Sequence, residues 1–182
     1  MSQYDPLDGM GDEDLIDVLP KLLSTLEGRA DEMLADHPEA VDVLLQRVDE
    51  ADVAMMARED TETVKRFHDF VWEVVAAKFD RYAMLRDAID VSVRARYAAV
   101  DSPLNGHVIT DASRGHIEGG STDIENPDLR IEGPTETVVG LLTGTTDPVQ
   151  GFLDGEFDMQ GRIDAGYRLG EILKRASRSA ST

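Results

Sequence analysis

Apolar residues recur every three or four positions through the first half of the chain and every second position through much of its middle. The two periods predict helices first and strands later. In "DEDLIDVLPKLLSTLEGRADEML", Leu15, Leu19, Leu22, Leu23 and Leu26 fall on one helical face, and Asp12 to Asp14 suit a helix start. Pro20 interrupts that face, which predicts either a short helix followed by a second from Pro20 or one kinked helix. "HPEAVDVLLQRVDEADVAMMARE", entered through Pro38, places Val41, Leu44, Leu45, Val48 and Met55 at helical spacing, with Asp52 as a polar intrusion. "DTETVKRFHDFVWEVV" opens on a capping signal at Asp60 or Thr61 and carries Phe67, Phe70, Val71, Val74 and Val75 in a helical stripe; a break or bend is expected near Phe79.

From about residue 91 the pattern alternates. Val91, Val93, Ala95, Tyr97 and Ala99 alternate with Ser92, Arg94 and Arg96, the mark of a half-buried strand. "SPLNG" is a turn, "HVITDASRGHIEGG" reads as two short strands around Asp111 to Gly115, and "NPDLRIEG" gives another strand between Pro127 and Gly133. The short connections predict an antiparallel meander.

The helical period then returns. Pro134 suits a first turn, Val138, Val139, Leu141 and Leu142 form an apolar side, and Gly144 can end the helix in the left-handed conformation. In "TTDPVQGFLDGEFDMQGRIDAGYR", Asp147 caps, Pro148 opens a short helix with Val149, Phe152 and Leu153 on one face, and Gly155 stops it. Phe157, Met159, Gly161 and Ile163 alternate as a strand, Asp164 caps again, and Leu169, Ile172, Leu173 and Ala176 line a final helix.

Charge narrows the choice of partners. The net charge is −19, from 37 acidic and 18 basic residues, and no Lys/Arg cluster offsets it, so nucleic acid is a poor partner. Lysine is scarce and aspartate outnumbers glutamate, a pattern resembling proteins of salt-loving organisms, where concentrated salt screens the repulsion. The absence of cysteine excludes disulfides, thiolate catalysis and Cys-ligated metal sites. No window holds the roughly 18 consecutive apolar residues of a membrane span, and the N-terminus has no secretory pattern. A cytoplasmic protein is expected, not an integral membrane one.

Candidate chemistry is sparse. His107 and His116 lie near the ends of the predicted hairpin, where a suitable register would bring them to Glu118, yet the spacing matches no zinc signature. No phosphate loop, nucleophile elbow or dinucleotide fingerprint follows a strand. Acid pairs such as Asp154 and Glu156 arise readily in so acidic a chain. No catalytic residue, metal or cofactor is expected.

The glycine-punctuated run from Pro127 to Leu173 is the distinctive feature. "PDLRI", an apolar helix ending "LLTG", and "DPVQGFLDGEFDMQG" before a closing amphipathic helix resemble the C-terminal half of the sterol carrier protein type-2 family. The helix from Thr61 and the meander from Val91 agree with that family in order and type. The resemblance implies an α+β fold: a five-stranded, mainly antiparallel sheet covered on one face by helices, with an apolar tunnel between the layers. It implies non-catalytic binding or transfer of a lipid or other apolar molecule, fatty acyl or isoprenoid.

Residues 1–11 read as a disordered lead-in, 12–60 as a helical extension, 61–178 as the lipid-binding domain and 179–182 as a tail. The expected cavity lining is Leu141, Leu142, Val149, Phe152, Leu153, Phe157, Met159, Leu169, Ile172 and Leu173. Two alternatives stay open: an interaction or dimerisation module with a filled cavity, its N-terminal helices forming a homodimer, and a metal-dependent hydrolase using His107 and His116.

Overall fold

The computed structural model describes residues 12–36 and 51–178, together with Val43, Arg47 and Glu50. Helix α1 (Asp12–Leu26) runs unbroken through Pro20. Proline removes one helical hydrogen bond, but Leu15, Leu19, Leu23 and Leu26 are all buried and hold both halves in one line. The break comes at Gly28, whose φ of +74° turns the chain into α2 (Ala30–Asp36). The expected helix entered at Pro38 lies largely outside the described residues. Its final part is a separate helix, α3 (Val53–Glu59), and Asp52 is its N-cap, accepting from the Met55 amide at 2.8 Å. The apparent polar intrusion is therefore a helix start.

Helix α4 (Thr61–Arg81) is capped by Asp60, which accepts from the Thr63 amide at 3.0 Å. It carries Phe67, Phe70, Trp72, Val74 and Phe79 inward, passes Phe79 without interruption and ends at the extended residue Tyr82, before the single turn α5 (Ala83–Arg86). Helices α1, α2 and α3 each pack on α4, so their buried residues join one core that extends from Leu15 to Ala176.

The five strands are β1 (Val93–Ala99), β2 (Asn105–Asp111), β3 (His116–Gly120), β4 (Leu129–Gly133) and β5 (Asp158–Gly161), in the order β3-β2-β1-β4-β5. Three pairs are antiparallel, but β1 and β4 run parallel, with Ala95 opposite Leu129. The meander expectation fails at this pair because the chain after β3 crosses the outer sheet face. Eight residues extend to roughly 26 Å, enough to pass over two strands spaced about 4.8 Å apart. Arg96 anchors the crossing at Asp123 (2.7 Å), and His107 meets the Thr122 carbonyl at 2.7 Å.

After β4 come α6 (Thr135–Thr143), α7 (Pro148–Leu153), β5 and α8 (Ile163–Arg178). Asp101, from the β1–β2 turn, accepts from the Thr135 amide at 2.8 Å and the Thr135 hydroxyl at 2.6 Å, fixing the start of α6 from outside the helix. Gly144 and Gly155 take positive φ at the ends of α6 and α7, as expected. The last helix begins at Ile163 rather than after Asp164, so Ile163 leaves the strand it was assigned to. Helices α4, α6 and α8 contact the sheet, and α6 packs on α8. The result is an α+β architecture with Val93, Ala95, Tyr97, Val108, Ile117 and Leu129 buried on the helix-covered side.

Candidate functional site

Two apolar cavities flank α6. The first lies between the sheet and α6 and α8, lined by Tyr97, Val108, Ile131 and Met159 from the strands, Leu141 and Leu142 from α6, and Leu169 and Leu173 from α8. The second lies between α6 and α4, lined by Val64, Phe67, His68 and Val71 with Leu104, Val139 and Leu142. Leu142 borders both. Their volumes are about 30 and 50 Å³, far below the roughly 300–1,000 Å³ of a typical ligand pocket.

A buried polar group sits at the same boundary. Trp72 donates its indole N–H to the Tyr97 hydroxyl at 2.8 Å, and the same hydroxyl hydrogen-bonds His68 Nε2. The three side chains are 2–5% exposed. Two glycines make room for them. A Cβ on Gly119 would lie 2.3 Å from the Trp72 ring, and one on Gly106 would lie 2.6 Å from His68 Cε1 and 2.7 Å from the Tyr97 hydroxyl. Contacts this short are repulsive, so glycine at these two strand positions is what lets α4 settle on the sheet.

Burial sets the protonation of the group. Desolvation pulls His68 down to about 4, against the opposing charge of Asp69, and pushes the Tyr97 phenol upward. Both are therefore neutral near pH 7. His68 Nδ1 is buried with no hydrogen-bond partner among the described residues. Asp69, next in sequence, accepts from the Ser121 amide (2.6 Å) and hydroxyl (2.9 Å) and so fixes α4 to the end of β3.

Of the ten expected lining residues, Leu141, Leu142, Phe157, Met159, Leu169 and Leu173 surround the first cavity. The other four lie elsewhere. Ile172 and Val149 border an open groove with Ala88 and Tyr167 on the other side of α8. Phe152 packs edge-on against Tyr167 and tilted against Phe157, and Leu153 is 70% exposed. The rotation of α7 explains the split: Pro148 packs on Gly170 and Gly151 is buried, so Val149 and Leu153, one turn apart, face solvent. Asp147 locks that rotation by accepting from the Val149 and Gln150 amides, each at 3.0 Å, and from Lys174 Nζ at 2.8 Å.

The two histidines of the hairpin are not brought together. The register puts His116 opposite Asp111 and His107 opposite Gly120, at opposite ends of the ladder, and no group of three metal-ligating side chains occurs among the described residues. His116 reaches Glu118 at 3.5 Å. Instead the sequence reading missed His68. Its signal was position: it falls in the inward stripe of α4, three residues before Val71 and one after Phe67, where an apolar side chain belongs.

No protein-family profile matches the chain, and no curated protein matches it. Among solved structures it is similar to a ubiquinone synthesis protein, UbiJ-SCP2, at 10% identity and a TM-score of 0.48, over 62% of this chain and 92% of that one. It is similar to sterol carrier protein 2 from Yarrowia lipolytica in its apo form at 12% identity and a TM-score of 0.46, over 61% and 92% of the two chains. A longer overlap occurs with the stereoselective inverting sec-alkylsulfatase Pisa1 from Pseudomonas sp., at 11% identity and a TM-score of 0.43. That match covers 94% of this chain but 33% of the sulfatase chain.

Proposed function

We propose that the chain is a non-catalytic binding protein for an apolar molecule, fatty acyl or isoprenoid, held between the sheet and the C-terminal helices in the manner of a sterol carrier. The observation that carries this reading is the pair of apolar cavities on the two sides of α6, both bordered by Leu142. Leu142 is half-buried and borders both; on this reading its side chain is the partition whose displacement joins them. A chain-length ligand further requires α6 to move off the sheet. Burial of the ligand at about 25 cal/mol per Å² supplies the free energy for that movement. Among the described residues no helix is long and apolar enough to cross a membrane. Native mass spectrometry of the purified full chain tests the reading: a co-purified lipid supports it, and a single unliganded mass after exposure to acyl and isoprenoid lipids speaks against it.

The small cavities favour a second reading, an interaction module whose tunnel is filled by its own side chains. Light scattering on the full chain in high salt distinguishes the two: a stable dimer with no lipid uptake supports the module, a monomer with uptake supports the carrier.

A further inference from the structure

The proposed ligand has a chain and a head, and one buried side chain gives the chemistry of the head. Trp72 Nε1–H can only donate, so the Tyr97 oxygen is its acceptor. The Tyr97 hydroxyl hydrogen must then go elsewhere, and the group in reach is His68 Nε2. Were Nε2 protonated, the phenol hydrogen would face its dry surroundings with no acceptor, a costly arrangement for a side chain only 2% exposed. Tyr97 therefore donates to Nε2, and the neutral imidazole carries its proton on Nδ1. That N–H is a donor, 95% of its side chain's residue surface being shielded, and it has no acceptor among the described residues. His68 lines the α4–α6 cavity, whose other polar lining residue, Thr143, returns its hydroxyl to the Val139 carbonyl at 3.1 Å.

Resting on the reading of an apolar ligand, we infer that this ligand carries an uncharged carbonyl oxygen, as in a ketone or an ester, which accepts the hydrogen bond from His68 Nδ1–H. A carboxylate does not fit, because a neutral imidazole is no counter-ion and a lone buried anion is strongly disfavoured. Phe67, Val71, Leu104, Val139 and Leu142 give the cavity apolar walls, and apolar surroundings strengthen such a bond.

The test uses methyl nonyl ketone, n-dodecane and laurate, titrated into the full chain in high salt and followed by displacement of a fluorescent acyl probe and by the nitrogen-15 resonances of His68. The expected result is a ketone-to-dodecane affinity ratio about tenfold higher in the natural chain than in His68→Phe, the value of one hydrogen bond to an otherwise unpaired buried donor. The His68 resonances should show an Nδ1-protonated ring whose Nδ1 signal moves on ketone binding. In His68→Phe the ketone-to-dodecane ratio should fall by that factor. A ketone-to-dodecane ratio unchanged in His68→Phe, an Nδ1 signal unmoved by bound ketone, or tighter binding of laurate would each overturn the inference while leaving apolar binding intact. Failure of all three probes to bind overturns the binding reading itself. The Nδ1 signal of the natural chain decides the matter even if His68→Phe does not fold.

Discussion

The Tyr97 hydroxyl accepts from Trp72 Nε1 at 2.8 Å, tying β1 to the centre of α4 through the buried core. Replacing Tyr97 by phenylalanine keeps the ring and removes the oxygen, leaving Trp72 and His68 both unpaired. Two orphaned buried groups should cost about 2–4 kcal/mol. Urea unfolding of Tyr97→Phe measures this, and a loss below about 0.5 kcal/mol would mean that the pair contributes little.

Gly119→Ala should destabilise more than Gly155→Ala, for different reasons. At Gly119 the new methyl meets the Trp72 ring at 2.3 Å, so α4 must shift; at Gly155 nothing lies within 4 Å and only the positive φ is strained. Overpacking of this kind costs about 1–3 kcal/mol or more, against about 1 kcal/mol for the strained turn. Parallel thermal melts check the order.

His68 should make stability fall on mild acidification. Its folded value of about 4 lies below its ordinary 6.5, so in that interval the unfolded chain binds a proton that the folded chain refuses. The contribution is complete above pH 6.5 and is lost as pH falls toward 4, at up to about 1.4 kcal/mol per pH unit. Denaturant midpoints at pH 7.5, 6 and 5, compared with His68→Gln, isolate it: the variant should lose the part of the slope between pH 6.5 and 5.

Asp147 behaves oppositely in range. Hydrogen bonds from the Gln150 amide and Lys174 hold its carboxyl down at about 2, below the usual 3.8. The stabilisation is fully present above pH 4 and disappears as pH falls through 2. Carbon-13 titration of its carboxyl should show that midpoint, with the Val149 and Gln150 amides losing protection in the same interval.

The legible and illegible parts of this molecule differ in how local their causes are. Val93, Ala95 and Tyr97 alternate with arginines, and their inward face could be read from that alone. Six of the ten expected cavity residues converge because α6, β5 and α8 each have a definite apolar side. Val149 and Leu153 did not, since a six-residue helix is too short for its period to fix a face, and its rotation is set by Lys174 and Gly170, far along the chain. The parallel β1/β4 pair depends on a loop crossing the sheet, and His68 finds Tyr97 at a separation of 29 residues. Neither leaves a periodic trace.

Leu142 offers the most direct test of the central claim. A fluorescent acyl probe, titrated into the delipidated full chain in high salt, should bind saturably at one site. Leu142→Ala should tighten it by removing the partition between the cavities, at a stability cost of about 1–2 kcal/mol, and Leu142→Trp should weaken it by filling both. Absence of saturable binding in the natural chain and in Leu142→Ala alike would contradict the carrier account.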